Sequence, residues 1–132
     1  MAKVTLDTNA YSAFMQGDEH VLEAISEAST IYLPLFVIGE LHYGFRGGNK
    51  LPENLAQLKA FLGKPTVETW LPSNETAQIY GEIQDRLKRD GTPIPINDIW
   101  IASACVESGS TLITYDKHFL LISGIRIWQS LK

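Results

Sequence analysis

A single cysteine in 132 residues leaves no pair to oxidise within the chain, so no disulfide framework is available and a reducing compartment is suitable. Cys105 sits in an apolar run with Ile101, Ala102, Ala104 and Val106, and nothing positive flanks it. It reads as a buried small hydrophobe rather than a reactive thiol. Histidine is scarce too: His20, His42 and His118 are scattered and, with one cysteine, do not make the spacing of a zinc site. Each reads as a surface or supporting residue rather than a metal ligand. Long apolar runs are missing. No window is long enough to span a bilayer, and the N-terminal Met-Ala-Lys-Val-Thr-Leu-Asp lacks the apolar core of a signal peptide. A soluble cytoplasmic protein is the expectation. An excess of positive charge is also absent, with 11 Lys and Arg against 15 Asp and Glu and a net charge of -4. This argues against a partner held by broad phosphate neutralisation. The objection weakens if several acids are concentrated in one cation-binding site, because the global charge then misreports the surface that a nucleic acid meets.

What is present is an ordinary globular balance of 45% hydrophobic and 20% charged residues. The length suits one domain over residues 1–132, able to bury roughly two-thirds of its unfolded surface. Short apolar runs alternate with helical patterns, which predicts an α/β domain with a mainly parallel sheet. Strands are expected at residues 3–6, 30–33, 67–70 and 111–114, with an edge strand at 125–128. Helices are expected at 10–15, from the Gly17-Asp18 cap to about 28, from Pro34 to Gly47-Gly48, and from Pro52 to Gly63. Two more follow: one from the cap chemistry at Ser73 to Thr76 as far as Gly91, and one over 98–107 capped by Asn97.

The acids fall at pointed places in this pattern. Asp7 ends the first strand, and Asp116 follows the fourth by two residues. In open parallel sheets ligands bind beyond the carboxyl ends of strands where strand order reverses, so neighbouring strands would bring these two together. Glu40 has Phe36, Val37, Leu41 and Gly44 as helical neighbours, which predicts a carboxylate that is buried or faces a cleft. Asp98 stands in the first turn of an apolar helix. Each acid also has an ordinary reading: Asp7 and Asp116 as turn residues, Asp98 as a helix-start acid, Glu40 as a paired core acid. Gathered in one concave site, they would repel unless protonated or bridged by a cation. Carboxylate oxygens select one or two Mg²⁺ or Mn²⁺ ions, which serve phosphoryl chemistry.

The segments Leu6-Asp7-Thr8-Asn9, Ile38-Gly39-Glu40-Leu41-His42-Tyr43-Gly44, Pro93 to Ala102 and Leu112 to Phe119 resemble, in order and spacing, those of the PIN-domain nucleases. Within that family they are similar to the VapC toxins of prokaryotic toxin–antitoxin pairs, over essentially the whole chain. The resemblance implies a three-layer α/β/α sandwich and an Mg²⁺ or Mn²⁺ site formed by Asp7, Glu40, Asp98 and Asp116. It implies supporting roles for Asn9 and Thr114, the latter by hydrogen bonding to an acid. It further implies endonucleolytic cleavage of RNA, a homodimer, and inhibition by a small cognate antitoxin whose tail reaches the acidic cleft. Asp7, Asp98 and Asp116 are the candidate metal ligands, direct or through water. Glu40, on its apolar face, is the candidate for a raised pKa and for deprotonating the attacking water.

Substrate contacts are expected from Arg46 and Lys50 after the Glu40 helix, or from Arg86, Lys88 and Arg89 at the end of the long one. These cations also suit solvated helix ends. Tyr11, Phe14, Tyr43 and Trp100 read as core or interface aromatics, with Tyr43 an alternative base-stacking residue. Three other functions remain in view. One is a structure-specific DNA nuclease, disfavoured by the lack of an added basic domain or helical arch. Another is a metal-binding module without turnover. The third is an aspartyl-phosphate phosphatase, disfavoured because Asn9 stands where those enzymes carry a second acid.

Overall fold

The computed structural model describes residues 2–131. Its centre is a five-stranded sheet of β1 (Lys3–Leu6), β2 (Thr30–Pro34), β3 (Val67–Trp70), β4 (Thr111–Ile113) and β5 (Arg126–Ile127). The order is β3-β2-β1-β4-β5 and every pairing is parallel. Six helices flank it: α1 (Thr8–Met15), α2 (Glu19–Glu27), α3 (Leu35–Arg46), α4 (Leu51–Leu62), α5 (Asn74–Asp90) and α6 (Ile96–Ser108). The expected three-layer α/β/α architecture is present. In β1, Val4, Thr5 and Leu6 are buried one after another, as a strand covered on both faces requires.

Strand order reverses at β1, since the chain builds outward through β2 and β3 before crossing to β4. The register Leu6↔Ile113 ends β1 and β4 at the same level. Whatever follows those two residues therefore meets across the carboxyl edge of the sheet. Beneath that edge lies the core, with Leu6, Leu33, Val37, Ile99, Leu112 and Phe119 fully buried.

Helix starts carry most of the local logic. The Asp7 side chain caps α1 by accepting the Ala10 N–H at 2.8 Å, so the helix begins at Thr8, two residues before the apolar pattern predicts. Asp18 caps α2 in the same way through Val21. The cap expected of Asn97 is not found. Pro95 is the N-cap residue of α6, its carbonyl accepting the N–H groups of Asp98 and Ile99. An extended proline opens a helix without a capping side chain, and Asn97 is carried into the first turn, where its Nδ2 is buried without a partner.

α5 begins with a capping box. The Ser73 N–H donates to Thr76 Oγ1 at 2.8 Å, and the Glu75 N–H donates to Ser73 Oγ. Both hydroxyls then donate to the carboxylate of Glu107, so the start of α5 is fastened to the end of α6. β5 is shorter than expected, because Trp128 turns its indole N–H to the Thr114 carbonyl at 2.6 Å. A short 3-10 helix, Lys117–Leu121, lies between β4 and β5 and was not predicted; Asp116 caps it.

Thr76 is fully buried and hydrogen-bonded on both sides. Thr76→Val keeps its shape and removes both bonds. It should lower unfolding free energy in urea titrations by about 1–3 kcal/mol, with the circular dichroism spectrum of the folded state unchanged.

Candidate metal centre

One cleft at the carboxyl edge of the sheet is lined by Asp7, Thr8, Asn9, Glu40, Pro95, Asn97, Asp98, Ile101, Asp116 and His118. All four predicted acids are in it, contributed by the ends of β1 and β4, the middle of α3 and the first turn of α6. No lysine or arginine is among the lining residues.

Asp7 lies at the foot of the cleft and is 4% exposed. Its Oδ1 accepts from Ala10 and its Oδ2 from the hydroxyl of Thr114, which is itself fully buried. The same Thr114 oxygen accepts the Asp116 N–H at 2.9 Å, so one side chain ties the two strand-end acids together. Burial pushes the Asp7 carboxyl up to about 6; the Thr114 and Ala10 hydrogen bonds oppose this, and the charges of Asp116 and Asp98 add to it. The Asp98 carboxyl is also raised, first by burial and then by Asp116, with His118 acting in the opposite direction and Glu40 adding to the rise.

Glu40 faces the cleft, the second of the two placements that its helical neighbours predict. It is exposed and accepts the Thr8 hydroxyl at 2.5 Å. Gly44, one turn on, adds no side chain beside it. The buried half of α3 is carried by Val37 and Leu41.

His118 belongs to the site although its spacing did not mark it. Its Nδ1 lies 3.1 Å from Asp116 Oδ1 and 3.4 Å from Asp98 Oδ2. One donor atom from each of Asp98, Asp116 and His118 falls within 4.8 Å of the others. The only sequence signal was position, two residues past Asp116, and the 3-10 turn is what folds the ring back. His20 and His42 lie outside the cleft lining.

A second groove, about 690 Å³, runs between α1, α3 and α4. Thr8 and Glu40 line both spaces, so groove and cleft are continuous. Lys50 is on the groove wall with Ser12, Gln16, Asn54 and Gln57. Arg46 donates to the His42 carbonyl of its own helix, Arg86 to Ser123 Oγ, and Arg89 pairs with Asp85; none of the three lines the cleft or the groove. Among the aromatics, Tyr11 and Phe14 pack on Phe61, and Trp100 stacks on Tyr80. Tyr43 alone of the four is largely exposed, at 84%.

A divalent cation fits this donor set. The carboxylates are hard oxygen ligands, the charges of Asp116 and Asp98 add to the rise at Asp7 and those of Asp116 and Glu40 to the rise at Asp98, and among the described residues no lysine or arginine lines the cleft.

A doubly flanked parallel sheet with an acidic cleft at its switch point defines a class of α/β domain, and comparison with known proteins narrows it. A family model, the PIN domain, matches residues 4–124, and the chain belongs to the PIN-domain family. Ribonuclease VapC2 of Rickettsia felis is 31% identical over 113 residues, covering 83% of each chain. The tRNA(fMet)-specific endonuclease VapC of Salmonella typhimurium is 30% identical over 131 residues, 96% of this chain and 97% of the relative. Among solved structures, the DNA-bound VapBC complex of Salmonella typhimurium matches at a TM-score of 0.85 and 29% identity, covering 97% of this chain and 98% of that one. VapBC2 of Rickettsia felis on a promoter DNA fragment matches at 0.84 and 27% identity, covering 96% and 97%.

The Asp7 displacement has a sign that can be measured. Between about pH 4 and 6 the folded, metal-free protein keeps a proton that the unfolded chain has lost. Stability from this group is therefore complete below pH 4 and is lost as pH rises through 6, by about 3 kcal/mol. Asp7→Asn removes that loss. In chelator, its melting temperature should exceed that of the wild type at pH 8 and match it near pH 4; equal values at both pH would refute the assignment.

Proposed function

We propose that this chain is a single-domain, metal-dependent endoribonuclease over residues 1–132, the toxin of a VapBC-type pair held inactive by a cognate antitoxin. The observation that carries the reading is the convergence of Asp7, Glu40, Asp98 and Asp116 on one cleft with no lysine or arginine among its described lining residues. The names of the relatives support the same chemistry. No helix among the described residues is long and apolar enough to cross a membrane, which is compatible with action on RNA in the cytoplasm.

On this reading Asp98 and Asp116 hold one or two Mg²⁺ or Mn²⁺ ions, with Asp7 at the base as a further ligand, direct or through water. Bound metal supplies charge neutralisation and polarises the scissile phosphate. The protein supplies the rest. Thr114 holds Asp7 and the Asp116 backbone in place. Glu40, anchored by Thr8 and open to solvent, orients the attacking water and takes its proton. Asn9, exposed at the rim, hydrogen-bonds the substrate. Lys50 meets a phosphate along the groove, and an antitoxin segment competes for the same groove with a basic residue directed at the acids. Arg46, Arg86 and Arg89 are less well placed for RNA. The homodimer belongs to this proposal, as in the VapC resemblance.

Cleavage of total cellular RNA, with single- and double-stranded DNA as controls, tests the reading. With Mg²⁺ or Mn²⁺ the wild type should cut RNA at discrete sites and leave DNA intact. Asp116→Ala should lose at least about a hundredfold in rate while keeping its circular dichroism spectrum. Lys50→Ala should weaken RNA binding and reduce the salt dependence by about one unit of slope without altering metal binding. DNA cleavage, or RNA cleavage that survives Asp116→Ala, would overturn the proposal.

A further inference from the structure

The 3-10 turn after β4 places a nitrogen donor among the acids. Asp116 Oδ1 accepts the His118 backbone N–H at 2.9 Å, and the Phe119 N–H returns to the Asp116 carbonyl. Phe119 is fully buried, which anchors the turn on the core side. The backbone of His118 is thus fixed from both sides, and the ring, half exposed, is carried over the two carboxylates.

Its Nδ1 stands 3.1 Å from Asp116 Oδ1 and 3.4 Å from Asp98 Oδ2. A single N–H can be well directed at only one of two such acceptors. Both distances from Nδ1 are instead near that of a coordination edge, since ligands about 2.1 Å from an octahedral ion lie about 3 Å apart when adjacent, and all three donor atoms lie within 4.8 Å of one another. Asp7 is differently employed: both of its oxygens accept protein hydrogen bonds, whereas of Asp116 only Oδ1 does so among the described residues. The donor triangle nearest closure is therefore Asp98, Asp116 and His118.

We propose that His118 is a direct ligand of the catalytic cation through Nδ1, and that this nitrogen biases the site toward Mn²⁺ and other first-row transition ions over Mg²⁺. The inference rests on the metal-dependent reading above and specifies it. Oxygen-only sites suit Mg²⁺, whereas imidazole adds affinity for ions along the series Mn²⁺, Fe²⁺, Co²⁺. A purely hydrogen-bonding His118 would orient Asp98 and Asp116 and support every divalent ion alike. Metal selectivity separates the two roles.

The test uses full-length, metal-depleted protein without RNA. Mg²⁺, Mn²⁺ and Co²⁺ are titrated calorimetrically into the wild type, His118→Gln and His118→Ala, and pulsed electron paramagnetic resonance is recorded on the Mn²⁺-loaded forms. Glutamine keeps an N–H that can reach the carboxylates but removes the imidazole, and it guards against a poorly folded alanine variant. The wild type should show an imidazole nitrogen coupling to Mn²⁺ that both variants lose. Mn²⁺ and Co²⁺ affinity should fall about tenfold or more in both, with Mg²⁺ affinity changed about twofold or less. Wild-type Mn²⁺ without the nitrogen coupling, or equal losses for Mg²⁺ and Mn²⁺, overturns the ligand assignment and leaves a metal-dependent nuclease standing. Failure of the wild type to bind any of the three ions overturns both.

Discussion

Asp7 is a carboxylate taken almost wholly out of water at the one place where the sheet reverses its strand order, and much of the site is arranged around it. Its two oxygens are held by a helix N–H and by the Thr114 hydroxyl, so it joins β1, α1 and the end of β4. Those bonds do not recover the cost of burial, since its carboxyl still titrates near 6. The cleft adds further acids beside it, which raises that cost. A fold that places such a group there has put local stability below what an amide at the same position would give. The arrangement makes sense where a cation completes the charge balance, and stability and function then pull in opposite directions at one residue.

Three of the four acids stand at helix starts. Asp7 caps α1, Asp116 caps the 3-10 turn, and Asp98 is in the first turn of α6. The partial positive charge at those ends steadies the carboxylates. Capping and chemistry are therefore compatible uses of one side chain, as Asp7 and Asp116 show by accepting backbone N–H groups while lining the cleft. Asp98 differs, because α6 opens on the Pro95 carbonyl and has no side-chain cap. Its carboxylate is left to face His118 and Asp116.

Much of this was legible in the sequence because the acids punctuate an apolar pattern. An apolar run ended by Asp7, a second ended near Asp116, and unbroken burial within the strands predicted a parallel sheet with acids on one edge. The start of α5 was legible from Ser73 and Thr76, whose hydroxyls have little other use at a helix start. Glu40 was legible as an acid facing a cleft, and its exposure beside Gly44 follows from the missing side chain one turn on. Asn97 was misread because capping propensity is local, while the extended Pro95 supplies the helix start through its carbonyl. His118 was passed over because a histidine two residues from an acid is ordinary in a chain, and only a turn anchored by Phe119 makes it meaningful. The ends of Arg86 and Arg89 are taken by Ser123 and Asp85, partners that no periodicity announces.

The continuity between cleft and groove bears on where selectivity resides. Thr8 and Glu40 line both, and among the described residues Lys50 is the groove's one lysine or arginine. A chain of net charge -4 with so few cations along this path gains little from releasing counterions off a nucleic acid. On the proposed reading, attraction to the phosphate comes chiefly from metal, and discrimination comes from the shape and the polar wall of the groove, which carries Glu53 as well as Lys50. Substrate affinity is then coupled to metal occupancy by the same charges that make the empty cleft unfavourable. A basic side chain from a protein inhibitor would meet those charges directly. The cluster that needs a cation for turnover is thus equally suited to accept a cation that blocks it.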